Sequence, residues 1–301
     1  MYDQVAQNKR RSFLLILAFV GLVLAVGAAL NLLVGGGPYF MLFALVFAGG
    51  AAAASYWKSD AIALRVSRAR PASVEEFGRL HNLVEGLCIA GGLPKPRLYV
   101  VEDPSPNAFA TGRDPKHAAV AVTTGLLEKL NRVELEGVLA HELSHVKNYD
   151  ILVSTIAVTL VGAVALLSDM AFRTMYWNGG RVSREGDREN HNNPLAIFGL
   201  LFVMLAPVIA WAMQAAISRR RESLADASAV QMTRYPPGLV SALEKLLADT
   251  TVTHSASKAT AHLWIEQPMS GVGDRGRFGS FNRLFDTHPP LEERIAALRE
   301  L

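Results

Sequence analysis

The feature that most constrains how this chain can fold is a long segment without charge. Between Phe13 and Trp57 there is no Asp, Glu, Lys or Arg. The run Gly35-Gly36-Gly37-Pro38 divides the segment into apolar stretches of about 22 and about 17 residues, each close to the length of a helix that crosses a bilayer. A cleaved signal peptide is disfavoured, because the first stretch is long, has no small-residue cleavage site and leads directly into the second. The sequence therefore predicts a transmembrane helical hairpin.

Two further uncharged stretches, Ile151–Ser168 and Asn192–Ser218, lie in the second half of the chain. Pro207 inside the second stretch is expected to kink a helix. Four membrane spans are the simplest count, and the alternative is that the last two stretches form a shallow or protein-covered hairpin. Because 50% of the 301 residues are hydrophobic and 19% are charged, the composition also leaves room for one sizeable domain in water.

Basic residues predict the orientation of the spans. Lys9-Arg10-Arg11 precedes the first span and further basic residues follow the second, so the N-terminus and residues 58–150 are expected in the cytoplasm. Basic residues usually lie on the cytoplasmic side of a membrane. The arginines of residues 171–194 do not follow this rule, because the predicted topology places that loop outside the cytoplasm. The net charge is only +3, and basic residues gather at the predicted membrane borders, which favours contact with anionic lipid over nucleic acid. The single cysteine, Cys88, excludes an intramolecular disulfide and a multi-cysteine metal cluster.

The segments outside the apolar stretches carry clear signals of helices. Ser73 and Glu76 have the spacing of a capping box, in which the Glu76 side chain reaches back, and this box opens a helix that ends at Gly91-Gly92. Pro290 suits the first turn of a final helix. Two more helices are expected over Glu222–Val230 and Leu239–Leu247.

A small β-sheet is also predicted. Three short runs have the residues of strands, and Gly112-Arg113-Asp114-Pro115-Lys116 between the last two runs has the composition of a hairpin turn. Residues 250–277 are polar, contain glycine and are assigned no element. The three predicted strands are Leu98–Val101, Asn107–Thr111 and Ala118–Thr123.

The motif with chemical meaning is His141-Glu142-Leu143-Ser144-His145, on a helix that the capping box of Asn131 and Glu134 opens. Histidines four residues apart lie on one helix face, so both can bind one metal ion. Zinc accepts such nitrogen ligands, and a catalytic zinc site has three protein ligands and one open position. Glu142 can take a proton from the attacking water while the metal polarises the scissile carbonyl. Apolar neighbours indicate a buried helix, which disfavours a solvated face with two unrelated histidines.

Glu222, directly after the fourth apolar stretch, is the predicted third ligand of one zinc ion per chain. Asp226 follows one helical turn later and can accept a hydrogen bond from a ligating imidazole, which fixes the tautomer. Asp150 is a weaker candidate for that contact. The alternative for Glu222 is an exposed charge that balances the three arginines before it. Two membrane crossings separate His145 from Glu222, so both lie on the same side of the bilayer, as a shared metal ion requires.

Four segments, taken in their order along the chain, indicate which protein family this chain resembles. They are Asn107-Ala108-Phe109-Ala110-Thr111-Gly112, Val138–His145, Ser218–Asp226 and Thr287-His288-Pro289-Pro290-Leu291-Glu292-Glu293-Arg294. With the apolar hairpin before them and two apolar stretches between the ligands, they resemble the HtpX-type membrane zinc metalloproteases, relatives of the CAAX prenyl protease. The resemblance covers nearly the whole chain.

The resemblance implies roles for individual residues. His141, His145 and Glu222 are implied as zinc ligands and Glu142 as the general base. The segment Asn107–Thr111 is implied to be an exposed edge strand that pairs with an extended substrate, main chain to main chain. Such pairing suits a protease with many substrates. The alternative is a sheet edge without a function.

His288 and Arg294 are implied to approach the active site and to bind the developing oxyanion. The alternatives are a helix cap for the His-Pro-Pro run and a simple salt bridge for Arg294. The loops 171–194 and 250–277 match no motif of the family.

The sequence thus predicts an α+β, mainly helical integral membrane protein with four transmembrane helices and a zincin-like protease domain at the cytoplasmic face of a bacterial inner membrane. By resemblance, its partners are the lipid bilayer and polypeptide substrates, chiefly misfolded or damaged membrane proteins removed in a quality-control response to stress. A narrow-specificity processing peptidase and a catalytically silent scaffold are the alternatives. The predicted parts are a transmembrane hairpin (1–57), the first part of the protease domain (58–150), a second hydrophobic hairpin (151–217) and the second part of the protease domain (218–301).

Overall fold

The structure is a computed structural model of the chain, and it shows helices packed around one small sheet. The predicted α+β class with mainly helical content is confirmed. The residues that the structure describes are 2–34, 37–157, 219–251, 264–265 and 290–301.

The first two helices form the predicted helical hairpin. Helix α1 spans Tyr2–Val34, helix α2 spans Gly37–Val66, and the two helices contact each other. Helix α2 therefore continues beyond Trp57, where the uncharged segment ends. Within the described residues, no helix combines the length and the apolar character that crossing a membrane requires.

Of the two later apolar stretches, the structure describes only the beginning of the first. Residues 150–157 are helical. The rest of Ile151–Ser168, all of 192–218 and the loop 171–194 lie outside the described residues.

One mixed sheet of four strands lies beside the helices. Its strands are β1 (Arg70–Pro71), β2 (Arg97–Val101), β3 (Ala108–Gly112) and β4 (Ala118–Thr123), in the spatial order β1-β2-β4-β3. Strands β3 and β4 pair antiparallel, as the predicted hairpin requires, and β2 pairs parallel to β4. Strand β3 is consequently an edge strand. Strand β1 was not predicted, because two residues that include a proline carry no strand signal.

Helix α3 (Val74–Gly91) has the predicted ends but only half of the predicted capping box. The Ser73 side chain accepts a hydrogen bond from the Glu76 amide, and Gly92 closes the helix with a φ of 66°, a left-handed conformation that glycine adopts without strain. The Glu76 carboxylate does not reach back to the N-cap. It accepts from both terminal nitrogens of Arg70 at 2.7 and 2.8 Å.

Helix α5 (Arg132–Lys147) carries the histidine motif and has a complete capping box. The Asn131 side chain accepts from the amides of Val133 and Glu134, and the Glu134 carboxylate accepts from the Asn131 amide. The other described helices are α4 (Thr124–Lys129), α6 (Arg219–Thr233), α7 (Pro236–Ala248) and α8 (Leu291–Arg299).

Helix α5 lies at the centre of these elements, where it contacts α3, α6, α7 and β3. Leu135, Val138 and Leu139 of α5 are completely buried in the main core. Full burial of a leucine or valine contributes about 1.5–3 kcal/mol, so the helix that carries the motif is firmly held. Pro290 precedes α8 as its N-cap residue, and the prediction that it lies within the first turn is wrong by one position.

Gly137 allows α5 and α7 to approach closely one turn before His141. A methyl group added to Gly137 would lie 2.9 Å from the backbone N and Cα atoms of Leu239. We expect Gly137→Ala to lower the free energy of unfolding by about 1–3 kcal/mol, because one helix backbone must shift. Denaturant unfolding followed by circular dichroism measures the change.

Gly86→Ala on α3 is the matched control, because the added methyl group meets no atom within 4 Å. Alanine is favoured over glycine inside a helix by about 1 kcal/mol. This variant is therefore expected to be at least as stable as the parent chain. Equal changes in the two variants would contradict a specific contact between α5 and α7.

Candidate active site

Helix α5 brings the two predicted histidine ligands to the same place. The Nε2 atoms of His141 and His145 lie 3.1 Å apart, and the two rings are perpendicular with their centroids 4.7 Å apart. His141 is completely buried and His145 is partly buried. Both Nε2 atoms therefore border one small volume.

Helix α6 adds the third predicted ligand to this volume. Glu222 Oε2 lies 3.5 Å from His141 Nε2, and Glu222 Oε1 lies 3.6 Å from His145 Nε2. The residue is only 7% exposed, so it is not a surface charge that balances arginines. Ligand atoms bound to zinc at about 2.1 Å in tetrahedral geometry are about 3.4 Å apart. The two Nε2 atoms are 3.1 Å apart, and each lies 3.5 or 3.6 Å from one of the two Glu222 oxygens, which is close to this spacing.

A carboxylate holds the outer nitrogen of each imidazole. Asp226 Oδ1 lies 2.8 Å from His141 Nδ1, and Asp150 Oδ2 lies 3.0 Å from His145 Nδ1. These contacts favour the tautomer with hydrogen on Nδ1, which leaves the Nε2 lone pair of each ring free to bind a metal. The sequence favours Asp226 over Asp150 for this contact, whereas the structure gives each histidine one of the two.

Asp150 reaches His145 across a turn at Asn148 and Tyr149, directly after α5. Asn148 ends the helix, and Tyr149 has a φ of 60°, a left-handed conformation that residues with a side chain rarely adopt. This conformation costs about 1–2 kcal/mol, so contacts around the turn must hold it. No sequence signal indicates such a turn, which is why the role of Asp150 is underestimated from sequence.

Glu142 lies on α5 between the two histidines. It is 3% exposed, and its carboxylate has no hydrogen bond to any other residue in the described part of the chain. Both carboxylate oxygens are thus available to another molecule, such as water. Burial lowers the pKa of the Arg294 guanidinium, but the negative charges of Asp226, Glu222 and, least of the three, Glu142 outweigh it and raise this pKa.

Arg294, on α8, enters the site as an ion-pair partner. Its Nη2 lies 2.7 Å from Asp226 Oδ1, and its Nε donates to Asp226 Oδ2 at 2.9 Å. Its Nη1 lies 3.9 Å from Glu222 Oε2 and has no hydrogen-bond acceptor among the described residues. The salt bridge that was the alternative to an oxyanion-binding role for Arg294 is therefore present. The Nη1 group remains as a hydrogen-bond donor beside Glu222. His288, the other predicted oxyanion-binding residue, lies outside the described residues.

Negative charge around the imidazoles favours a cation between them. Burial lowers the pKa of His141, and Arg294 lowers it further, but Asp226 and Glu222 outweigh both and raise this pKa to about 9. The pKa of His145 is also raised, since its neighbouring carboxylates, chiefly Glu222, outweigh the effect of burial. For Asp226, burial raises the pKa, yet His141 and Arg294 prevail and lower it to about 2. A proton or a metal ion can supply the positive charge that this arrangement attracts.

The predicted substrate strand lies at the sheet edge, but it is covered. Every residue of Asn107–Thr111 is buried, so the prediction of an exposed edge is wrong. Two groups occupy its outer side. The Ile265 amide donates to the Ala108 carbonyl at 3.0 Å, and the Gly112 amide donates to the Thr155 hydroxyl at 3.3 Å.

Between these two contacts, the backbone of Ala110 also faces away from the sheet. The Thr123 amide donates to the Asn107 carbonyl across the β3–β4 pair. Because pairing groups alternate along an antiparallel ladder, Phe109 and Thr111 also direct their amides and carbonyls towards β4, whereas Ala110 directs its own outwards. Within the described residues, no hydrogen bond reaches the Ala110 amide or carbonyl on that side.

Comparison with known proteins places this site within one protein family. Residues 74–301 match the family described as "Peptidase family M48". The chain belongs to peptidase family M48. The matched range includes the paired histidines, Glu142, Glu222, the two supporting aspartates and Arg294.

Relatives of this M48 peptidase match it along its whole length. A "Protease HtpX homolog" from Tropheryma whipplei (strain Twist) is 48% identical over 303 residues, which cover 100% of this chain and 98% of the relative. Another from Streptococcus uberis (strain ATCC BAA-854 / 0140J) is 43% identical over 304 residues and is covered completely, as is this chain. The crystal structure of S. mikatae Ste24p has a similar fold, with a TM-score of 0.50 and 18% identity over 99% of this chain and 67% of that chain.

Membership of family M48 confirms the resemblance found in the sequence and makes the chain a peptidase. The clustered ligand atoms of His141, His145 and Glu222 agree with a metallopeptidase in particular. The sequence motif and the structure therefore lead to the same class of enzyme.

We expect the apparent affinity of this site for added zinc to rise with pH up to about pH 9, where the proton on His141 is lost. Zinc must displace that proton, so each pH unit below the pKa weakens binding by up to about tenfold. Competition with a chelator whose own pH dependence is known measures the affinity. A constant affinity between about pH 6 and about pH 9 would contradict the raised pKa of His141.

Proposed function

We propose that the chain is a zinc endopeptidase that hydrolyses peptide bonds. The proposed ligands of a single zinc ion are His141, His145 and Glu222, and the proposed general base is Glu142. The observation that carries the proposal is the convergence of three side chains: the two histidine Nε2 atoms lie 3.1 Å apart, and each has one Glu222 oxygen at 3.5 or 3.6 Å. Three protein ligands with a fourth position left for water or substrate are typical of catalytic zinc.

Each residue of the site has a defined task in this proposal. When bound, zinc polarises the scissile carbonyl and makes the attacking water more acidic. Glu142 takes the proton from that water and passes it to the leaving amine. The Nη1 group of Arg294 donates to the oxygen that gains negative charge, and His288 has the same task by resemblance. Asp226 holds the ring of His141 in the required orientation, and Asp150 does the same for His145.

Metal analysis and proteolysis test this proposal directly. The full chain, purified in detergent, should contain one zinc ion per chain and should cleave casein. A chelator should abolish the cleavage, and added zinc should restore it. A chain without bound metal that cleaves casein equally well in the chelator would overturn the proposal.

We also propose that an extended substrate segment pairs with β3 at Ala110. The amide and carbonyl of Ala110 face outwards, between the contacts made by Ile265 and Thr155. Strand β3 contacts helix α5, the helix that carries Glu142. Main-chain pairing accepts almost any extended sequence, because it does not depend on particular side chains.

Ala110→Pro is expected to lower kcat/KM for casein by about tenfold, with unchanged zinc content. Proline removes the amide that would pair with substrate, whereas the hydrogen bonds between β3 and β4 do not use that amide. Loss of a partner for a buried polar group costs about 1–3 kcal/mol, and the free energy that corresponds to a tenfold fall in kcat/KM lies within this range. Steady-state cleavage kinetics and metal analysis measure the two quantities.

Ala110→Ser is the control for this prediction, because it changes the side chain and keeps the amide. Its kcat/KM should stay within about twofold of the parent value, a difference of less than about 0.5 kcal/mol. If both variants lose activity equally, the effect arises from the side chain and the proposed pairing is wrong.

We propose that the protein resides in the cytoplasmic membrane of a bacterium, with its active site facing the cytoplasm. The described residues of the uncharged segment Phe13–Trp57 lie within the paired helices α1 and α2. Large apolar side chains in such numbers are stable against lipid and unfavourable against water. The exposed ones include Phe13, Leu17, Leu42, Val46 and Trp57.

Extraction and labelling test the location and the orientation. The chain should remain with the membranes after alkaline washing. A cysteine introduced by Lys116→Cys lies in the exposed turn before β4 and should react with an impermeant maleimide only in inverted vesicles, since Cys88 is buried. Labelling in right-side-out vesicles alone would reverse the proposed orientation.

The proposed substrates are misfolded or damaged membrane proteins, which suits recognition of an extended main chain near a bilayer. A processing peptidase with one preferred sequence is the alternative. Fragments released from several unrelated unfolded proteins distinguish the two: many unrelated cleavage sites support quality control, whereas a single preferred sequence supports processing. A silent scaffold is disfavoured, because Glu142 is present beside the clustered ligand atoms.

A further inference from the structure

Asn8, in the first helix, makes a direct contact with the surroundings of the candidate metal site. Its side chain is buried, with 1% exposed. The Asn8 Nδ2 group donates to Asp150 Oδ1 at 2.6 Å and to the Asn148 carbonyl at 2.9 Å. Asn8 therefore uses both hydrogens of its amide group on the turn that follows α5.

The two oxygens of Asp150 have separate partners. Oδ1 accepts from Asn8, and Oδ2 lies 3.0 Å from Nδ1 of His145. A carboxylate held at both oxygens has a fixed orientation, and it transmits that orientation to the imidazole. Without Asn8, the carboxylate of Asp150 could rotate, and the ring of His145 would lose its fixed direction.

The turn itself needs support from outside. Tyr149 has the strained φ of 60°, and such a conformation persists only where surrounding contacts determine it. Asn8 bonds the carbonyl immediately before Tyr149, and the Lys9 ammonium lies 4.6 Å from the centre of the Tyr149 ring. Two adjacent residues of α1 thus hold the turn from which Asp150 projects.

We infer that Asn8 is a positioning residue of the metal site, acting on His145 through Asp150. By this contact the N-terminal helix contributes to metal binding although it supplies no ligand. The inference rests on the proposed zinc function. It also implies that a chain without its first helix would bind zinc more weakly than the full chain.

The test compares the zinc affinity of full-length variants in detergent by competition with a chelator. Asn8→Ala should bind zinc about tenfold more weakly, the lower end of the effect seen when partners of metal ligands are removed. With cobalt in place of zinc, its visible absorption band should change in position or intensity, because the direction of the His145 ligand changes. Asn8→Asp retains the shape of the side chain, removes the donor and should show the same loss.

Ser12→Ala is the matched control, since Ser12 is buried on the next turn of α1 and its hydroxyl has no hydrogen-bond partner in the described part of the chain. Its zinc affinity should stay within about twofold of the parent value, which is the scatter expected for a site without a contact to the ligands.

A double-variant cycle distinguishes positioning through Asp150 from general support of the fold. Asp150→Ala alone should weaken zinc binding by about 10–100-fold. Adding Asn8→Ala to it should then have no further effect. An unchanged affinity of Asn8→Ala, or an equal loss with and without Asp150, would overturn the inference. Absence of zinc from the parent chain would instead overturn the proposed function.

Discussion

Glu142→Gln is expected to lower the rate of casein cleavage by about 10²- to 10⁴-fold, the usual contribution of a general base, while one zinc ion per chain remains bound. Glutamine has nearly the same shape but cannot accept a proton from water. The ligand atoms of His141, His145 and Glu222 are untouched by this change. Cleavage assays in detergent and metal analysis of the same preparation measure the two quantities.

Glu136→Gln is the matched control on the same helix. Glu136 lies six positions before the base and is only partly buried, and its substitution should leave both cleavage and zinc content unchanged. If Glu142→Gln cleaves casein as fast as the parent chain, the proposed base is wrong. If it loses zinc as well as activity, Glu142 supports the metal and its role as a base is not established.

Local signals in the sequence predicted the elements that position this site. The capping box of Asn131 and Glu134 is complete in the structure, because both partners lie within one helical turn. The paired strands β3 and β4 follow from two apolar runs with a turn between them. The four-residue spacing of His141 and His145 sufficed to bring their Nε2 atoms together. Each of these features depends on residues that are close in the chain.

Contacts between distant residues account for the wrong prediction of an exposed edge strand. The edge strand was expected to be exposed, but Trp264 packs against Phe109 with ring centroids 4.7 Å apart, and Ile265 bonds the adjacent carbonyl. No pattern within Asn107–Thr111 indicates which later segment will cover it. The capping role of the Glu76 carboxylate, by contrast, is lost to an ion pair with Arg70, which lies only six positions earlier in the chain, in the unpredicted strand β1.

The support of the ligands was the least predictable part of the site. Asn8 and Asp150 are separated by 142 positions in the sequence. In the sequence, Asn8 stands directly before basic residues that indicate a membrane border, and nothing in that pattern assigns it a partner. The sequence therefore points to the proposed ligands, whose residue types are determined by metal chemistry, and misses residues whose role depends on tertiary packing.

Glu222→Gln is expected to weaken zinc binding by more than about 100-fold, because loss of a ligand exceeds the 10–100-fold effect of losing a partner of a ligand. The amide is uncharged, so it no longer balances the charge of the ion between two neutral imidazoles. Competition with a chelator measures the affinity of the parent and variant chains. Activity should fall in parallel, and a high concentration of added zinc should restore part of it.

The response of activity to added zinc distinguishes the function of Glu142 from that of Glu222. Added zinc should not restore Glu142→Gln, because that variant keeps its metal and lacks its base. Glu292→Gln, an exposed position on α8, is the control and should bind zinc as tightly as the parent chain. Zinc binding by Glu222→Gln as tight as that of the parent would show that Glu222 is not a ligand, and the two histidines would then require a third ligand from elsewhere in the chain.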